Sequence, residues 1–268
     1  MGATQTNGSG AVQGALWGAA AEDYASLMEP QGDKLFEAVL SRGAFGPGVR
    51  VLDVGCGSGR FAQMMVARGC EATGFDASEA LLAIARRRTP TAQFHQGDME
   101  SLPFPDEHFD VVTGLNSFQY AADPRHALIE AKRVVRRGGQ LIVATWGSPG
   151  ACEATAYLAA LKPLLPAGTG GPGPFALSEE AALKSLVSSA GFTPDSVHDV
   201  DLVWEFSGFQ TAAAALLSAG PTMLAIRTSG RERVQEALEL AIAPFKLASG
   251  GYRLENQFRF LIATKYQL

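Results

Sequence analysis

The sequence predicts a doubly wound α/β fold, in which helices cover both faces of a mainly parallel sheet. Between residues 49 and 146, short runs rich in Val, Ile, Leu and Phe alternate with segments of helical spacing. A glycine-rich turn directly follows the first of these runs. The chain has 268 residues, of which 47% are hydrophobic and 18% are charged, a composition typical of a folded chain with a full core.

The central elements are predicted in a regular order. Strands are expected at 49–54, 72–75, 92–95, 109–114 and 140–145, and helices at 60–67, 79–87 and 125–135. The strand runs are continuously apolar, as expected for strands buried on both faces. Ser78 before an acidic first turn and Asp123 before Pro124 are typical helix starts.

Further elements are predicted on either side of this region. Residues 17–42 have the apolar spacing of one or two helices, and the later part predicts helices at 152–161, 178–190, 209–219 and 231–245 and strands at 197–206 and 257–264. The connection at 163–174 is rich in Gly and Pro and predicts a mobile surface loop, with a lid as a hypothesis.

We predict one domain with four regions. Residues 1–13 are expected to form a flexible tail and residues 14–48 an N-terminal helical segment. Residues 49–147 are expected to form a ligand-binding core, and residues 148–268 to supply cap helices and the last two strands of the sheet.

Composition and charge disfavour several classes of function. The 22 basic and 27 acidic residues give a net charge of −5, which does not attract nucleic acid. No apolar run is long enough for a membrane span, and the first basic residue is Lys34, so we expect a cytoplasmic protein. Three widely spaced cysteines indicate reduced thiols and no metal site. The basic run at 86–88 is interpreted as a solvated helix end.

The most informative segment is the glycine-rich turn. Residues 51–61 read Val-Leu-Asp-Val-Gly-Cys-Gly-Ser-Gly-Arg-Phe, so a strand with an acidic residue near its end leads through three alternate glycines into a helix. Such a turn lets the backbone approach a ligand closely, and the helix presents free N–H groups. The spacing G-x-G-x-G, with Arg60 after Gly59, differs from the G-x-G-x-x-G of dinucleotide sites and disfavours a nicotinamide cofactor.

The order Asp-x-Gly-x-Gly-x-Gly at 53–59 resembles motif I of the class I S-adenosylmethionine (SAM)-dependent methyltransferases, and the resemblance extends over 49–147. Residues 102–112 resemble the type 11 branch, which is similar to the ubiquinone and menaquinone biosynthesis enzymes. The resemblance implies a Rossmann-like sheet of seven strands in the order 3-2-1-4-5-7-6, with one strand reversed. It also implies SAM as cofactor and S-adenosylhomocysteine (SAH) as product.

The resemblance assigns roles to the residues that match its motifs. It implies that Asp76, 21 residues after Gly55 and followed by Ala77, accepts hydrogen bonds from both ribose hydroxyls, as the ribose acid of dinucleotide folds does. Asp98 is implied as the acceptor for the adenine amino group, with Met99 packed on the ring. The remaining cofactor contacts implied are Tyr24, Asp53, Gly55, Cys56, Gly57, Gly59 and Asn116.

Methyl transfer from SAM is an in-line displacement that depends on alignment and needs no nucleophilic side chain. The candidates for a general base are His126 and Tyr120. Trp17, Phe118, Tyr120 and Trp146 are expected to line the acceptor site.

The end of the fourth strand lacks the Asn/Asp-Pro-Pro-aromatic box of enzymes that methylate base amines. We therefore expect O-, N- or C-methylation of a small molecule by a monomer or homodimer. The alternatives are a quinone-ring C-methyltransferase and a SAM-binding regulatory or assembly protein without catalysis.

Overall fold

A computed structural model describes residues 8–167 and 173–266. Seven strands form one sheet in the order β3-β2-β1-β4-β5-β7-β6, and β7 runs antiparallel to both of its neighbours. The predicted order with one reversed strand is confirmed. The strands are β1 Arg50–Val54, β2 Glu71–Asp76, β3 Gln93–Gln96, β4 Phe109–Leu115, β5 Val135–Trp146, β6 Thr193–Phe206 and β7 Tyr252–Thr264.

Helices connect the strands and extend the fold at both ends. The α-helices are α1 Gly10–Trp17, α2 Ala21–Asp23, α3 Asp33–Arg42, α4 Arg60–Ala67, α5 Glu79–Arg88, α6 Pro124–Val134, α7 Thr155–Leu161, α8 Glu180–Ser189, α9 Phe209–Leu217, α10 Gly220–Ser229 and α11 Arg231–Ile242. Irregular helical turns link α2 to α3 through residues 24–32. Within the described ranges no single helix is long and apolar enough to cross a membrane, although α9 and α10, bent by 91°, pass that test as a pair.

The sheet has a hydrophobic core on each face, as a doubly wound fold requires. On one face Val51 packs with residues of α3, α4 and α5 and with the C-terminal helices. On the other face Leu52 packs with residues of α6 and α8. Consecutive side chains of a strand point to opposite faces, so β1 contributes to both cores and its carboxyl end lies between them.

The last three strands are longer than predicted. β5 begins at Val135 instead of 140, β6 at Thr193 instead of 197, and β7 at Tyr252 instead of 257. Outward-facing polar residues alternate with buried ones along β6 and the start of β7. Because these parts are covered on one face only, their sequence lacks the continuous apolar run that marks a central strand.

The N-terminal prediction is wrong at its boundary. The expected flexible tail ended at residue 13, but α1 already begins at Gly10; residues 1–7 lie outside the described residues. Helix α10 was not predicted, because Gly220-Pro221 has the composition of a turn, whereas Pro221 here occupies the first turn of a helix. The glycine-rich part of the predicted lid, residues 168–172, also lies outside the described residues.

Candidate functional site

The loop after β1 forms a backbone cradle at the carboxyl end of the central strands. Gly55, Gly57 and Gly59 all have positive φ angles, at 77°, 56° and 76°, a backbone region that glycine adopts without strain. A side chain at Gly55 would also overlap Ser117. The Gly55 amide donates to the carbonyl of Phe75 at 2.7 Å, which ties the cradle to β2.

Asp76 at the end of β2 connects the cradle to the next helix. Its Oδ2 accepts a hydrogen bond from the Gly57 amide at 2.9 Å, and its Oδ1 accepts one from the Ser78 amide at 2.8 Å. Burial raises the pKa of this carboxyl, and the two amide hydrogen bonds partly offset that effect. The side chain therefore holds both the glycine loop and the start of α5 in place.

Asp53 is a buried acid beneath the cradle. The side chain is 2% exposed, and its Oδ1 accepts a hydrogen bond from Thr113 Oγ1 at 2.7 Å. Burial raises the pKa of Asp53 to about 7, and the nearby carboxylates of Asp76 and Glu29 act in the same direction. A cation bound in the cradle would favour the ionised form of this carboxyl.

We expect Asp53 to make the stability of the protein depend on pH. Because its folded-state pKa of about 7 exceeds the ordinary value of 3.8 that applies in the unfolded chain, its stabilising contribution is full below pH ~4 and is lost as the pH rises through ~7. In urea unfolding, the wild type should lose about 2–3 kcal/mol more stability than Asp53→Asn between pH ~5 and pH ~8. Asparagine keeps the acceptor for Thr113, so equal losses in the two proteins would contradict the assignment.

Helix α1 covers the cradle with a face of glycines. The Gly10 amide donates to Asp98 Oδ2 at 2.7 Å, and Gly14 packs so closely on the carbonyl of Ala77 that a methyl group there would overlap it. Helix α1 thus closes over the β2–α5 connection and over the loop that follows β3.

Substitution of Gly14 should open this cover. In Gly14→Ala the added methyl group forces α1 away from Ala77, and overpacking of this kind costs about 1–3 kcal/mol. We expect amide hydrogens of α1 to exchange roughly tenfold faster. Gly46→Ala is the control, because no atom lies within 4 Å of a methyl group at that position; unchanged exchange in Gly14→Ala would show that the contact does not hold the helix.

A first cavity runs between α1 and the cradle, with about 640 Å³ of empty space that is partly open to solvent. The residues of the predicted cofactor site that line it include Gly55, Gly57, Asp76, Ala77, Met99 and Asn116.

A second cavity of about 730 Å³, again partly open, adjoins the first. It lies between the N-terminal segment, α7 and the ends of β5, β6 and β7, and its wall is largely aromatic. Five residues line both cavities and mark where they meet: Trp17, Tyr24, Leu115, Asn116 and Tyr120.

Three aromatic rings stand at the junction of the cavities. The ring of Trp17 makes edge contacts with Tyr24 and Tyr120, each with centroids 5.4 Å apart. Burial raises the pKa of both tyrosines well above the usual value, so both phenols stay protonated near neutral pH. Tyr120, a candidate base, is therefore a hydrogen-bond donor in this environment.

A buried ionic network fastens the N-terminal segment to the cradle. Glu29 accepts a hydrogen bond from the Ser58 amide at 3.0 Å and another from the Ser58 hydroxyl, and its Oε2 lies 2.7 Å from Arg88 Nη1. Arg88 also donates to the carbonyls of Ser58 and Ala25. The interpretation of residues 86–88 as a solvated helix end is wrong for Arg88, whose side chain is only 18% exposed.

Several predicted site residues do not line either cavity. Phe118 is fully buried in the core on the α6 face, and His126 is exposed in the first turn of α6. Cys56 is buried, and its sulfur lies against Gly74 in the direction of β2. Asp98 is covered by the start of α1.

Two further predicted residues remain: Gly59 was expected at the cofactor site and Trp146 at the acceptor site. Gly59 precedes the first residue of α4, and Trp146 lines the second cavity, where its buried indole N–H has no partner among the described residues.

The site residues that were not predicted from the sequence belong to the buried ionic network and to the second cavity. They are Glu29, Ser58 and Arg88 in the first case and Tyr157, Leu202 and Trp204 in the second. The basic run that contains Arg88 was visible, but its partner lies 59 residues away. Across residues 8–167 and 173–266, no group of three or more metal-ligating side chains is found.

Comparison with known proteins identifies the central region. The family described as "Methyltransferase domain" matches residues 52–143. Demethylmenaquinone methyltransferase of Renibacterium salmoninarum is 38% identical over 103 residues, which are 38% of this chain and 44% of that protein. Malonyl-[acyl-carrier protein] O-methyltransferase of Serratia marcescens is 35% identical over 121 residues, 45% of this chain and 46% of that protein. The chain thus matches less than half the length of these relatives.

Solved structures share the fold over most of this chain at low sequence identity. The [4+2]-cyclase SpnF matches with a TM-score of 0.57 and 23% identity over 87% of this chain and 81% of that one. A phosphoethanolamine N-methyltransferase of Haemonchus contortus, solved with SAH and phosphomonomethylethanolamine, matches with a TM-score of 0.52 and 17% identity over 87% of this chain and 52% of that one. The sequence matches and the sheet order together show that residues 52–143 are a methyltransferase domain of the class I SAM-dependent family.

Proposed function

We propose that the protein transfers the methyl group of SAM to a small-molecule acceptor. The observation that carries this proposal is the pair of adjoining cavities, one along the glycine cradle and one with an aromatic wall, which meet at Trp17, Tyr24 and Tyr120. A cofactor in the first cavity and an acceptor in the second would face each other across this junction, as in-line transfer requires.

The residues of the first cavity fit SAM. The free backbone of Gly55 and Gly57 leaves room for close approach, and the carboxylate of Asp76 is an acceptor for ribose hydroxyls. We assign Ala77 and Met99 to the adenosine side of the site, with Asp98 as the acceptor for the adenine amino group. Asp98 accepts a hydrogen bond from the Gly10 amide in this structure. Binding of adenine at Asp98 therefore requires this hydrogen bond to break.

The chain's own groups serve mainly to orient the reactants and exclude water. When bound, SAM would supply a methyl group that its sulfonium activates for transfer. The rings of Trp17, Tyr24 and Tyr120, which line both cavities, would stabilise the positive charge by cation–π interaction. No histidine is found among the described residues that line the two cavities, so we propose that any proton lost by the acceptor passes to solvent.

We further propose that residues 49–147 form the cofactor-binding core and that residues 14–48 and 148–268 cover it within a single domain. The hydrogen bond from the Ser58 amide of the cradle to Glu29 and the wall of the second cavity support this division. A cytoplasmic location is proposed because the three cysteines are buried and unpaired. A quinone-ring acceptor is the second candidate, since one relative is named a demethylmenaquinone methyltransferase.

The proposal is tested by incubating the protein with methyl-deuterated SAM and a metabolite extract of the organism that carries the gene. A deuterium-labelled small molecule, found by mass spectrometry, is the expected result and would give the mass of the acceptor. SAH binding without any labelled product from small-molecule or macromolecular fractions would instead support a protein that binds the cofactor without transferring its methyl group. The cyclase with this fold shows why turnover has to be measured.

A further inference from the structure

The second cavity has an unusually aromatic wall. Eight of the residues that line it are aromatic, and they include Trp17, Trp146 and Trp204, which are all the tryptophans of the chain. The rings of Trp146 and Trp204 lie 5.6 Å apart and nearly perpendicular. Such walls bury large apolar surfaces and pack well against other rings.

The same wall offers no charge to a ligand. No lysine, arginine or histidine is present among its described residues, and its single carboxylate is Glu29. That carboxylate is already bound to Arg88 and to both donors of Ser58. An anionic ligand would therefore lose its hydration without gaining a cation, and a cationic ligand would find no free carboxylate.

The polar groups of the wall are mostly unpaired donors. The hydroxyls of Tyr24, Tyr120 and Tyr157 form no hydrogen bond with another described residue, and all three side chains line the cavity. Burial raises the pKa of each phenol, which keeps the hydroxyl protons in place. An oxygen atom on a ligand would satisfy such a donor without any charge.

We propose, building on the proposed methyl transfer, that the acceptor is an uncharged ring compound whose oxygen substituent accepts a hydrogen bond from a tyrosine of the second cavity. Its apolar body packs against the tryptophan rings, and its reactive atom faces the junction at Tyr120. Among the described residues of the wall, a carboxylate of the same shape finds no cation, and an ammonium compound, although the rings attract it, finds no free carboxylate to replace its hydration.

Three probes of matched shape test this selectivity: 4-phenylphenol, biphenyl-4-carboxylate and 4-phenylbenzylammonium. SAH binding to the full chain is measured first by calorimetry, and each probe is then titrated into the SAH-saturated protein. We expect 4-phenylphenol to bind at least tenfold more tightly than either charged probe. Absence of SAH binding would refute the proposed function, whereas SAH binding without this preference, or without any binding of 4-phenylphenol, would refute only the acceptor class.

Two variants of the wall and one control variant locate the effect in the cavity. Tyr157→Phe removes a donor and should weaken 4-phenylphenol about three- to tenfold, while Tyr252→Phe, at an equally buried tyrosine outside both cavities, should not. Leu158→Arg adds a cation at a half-buried position of the wall and should improve carboxylate binding at least tenfold. Equal 4-phenylphenol affinity in all three variants and the wild type would show that the probe binds elsewhere.

Discussion

Asp76→Ala is expected to weaken SAH binding by about 2–3 kcal/mol, or roughly 30- to 150-fold. Two hydrogen bonds from ribose hydroxyls to a charged acceptor would be lost. The same change frees the amides of Gly57 and Ser78, which Asp76 now binds at 2.9 and 2.8 Å. The loss should appear in calorimetric titration with SAH, which is not consumed during the measurement.

An SAH analogue without ribose hydroxyls separates ribose recognition from loop support. The wild type should bind it much more weakly than SAH, whereas Asp76→Ala should bind the two nearly equally. Asp123→Ala is the matched control, because Asp123 also accepts a hydrogen bond from a backbone amide at a helix start, that of His126, at 3.0 Å. A preference for SAH that survives in Asp76→Ala would overturn the ribose assignment.

The parts of the site that the sequence predicts are those whose geometry depends on neighbours in the chain. A strand that ends in a turn of three alternate glycines and enters a helix determines its own shape, because the positive φ angles of Gly55, Gly57 and Gly59 depend on local backbone freedom. The position of Asp76 is also predictable, because β2 runs parallel to β1 and the carboxyl ends of both strands therefore lie at the same edge of the sheet. The sheet order was predicted because this motif resembles motif I of the class I SAM-dependent methyltransferases, whose sheet has this order.

Most of the second cavity could not be predicted: Trp17, Tyr120 and Trp146 were expected at an acceptor site, but most other residues of its wall meet them only in the folded protein. Tyr157 lies on α7, Trp204 on β6 and Phe258 on β7. In the sequence each of them is indistinguishable from an aromatic residue of an ordinary core. Phe118 illustrates the converse, since it has the expected residue type and chain position but turns into the core beneath Gly114. Residue type alone does not distinguish a side chain of the cavity from one of the core.

The helical start of the N-terminal segment was placed too late in the chain for a similar reason. Residues 10–18 carry glycines at every fourth position, a composition that lowers intrinsic helix stability. Helix α1 is held by tertiary contacts, in which the Gly10 amide binds Asp98 and Gly14 packs on Ala77. Local propensity therefore favoured a tail, whereas packing against the β2–α5 connection produces a helix.

Glu29→Ala is expected to reduce the free energy of unfolding by about 3–5 kcal/mol, because it leaves the largely buried guanidinium of Arg88 without its counter-charge. For a chain of this size the corresponding fall in Tm is roughly 10 °C. The amide and hydroxyl of Ser58 also lose their acceptor, so the cradle should loosen and SAH should bind more weakly. Thermal unfolding followed by circular dichroism, with and without SAH, measures both effects.

Two further variants show whether the unpaired charge causes this loss. Glu29→Gln combined with Arg88→Met removes both charges and should recover most of the stability, since a buried ion pair contributes little beyond a neutral replacement of similar volume. Arg87→Ala provides the adjacent control: Arg87 pairs with Glu22 on the surface, where their side chains are 63% and 78% exposed, and such pairs are worth about 0–1 kcal/mol. If the double variant is no more stable than Glu29→Ala, the unpaired charge of Arg88 is not the cause of the loss.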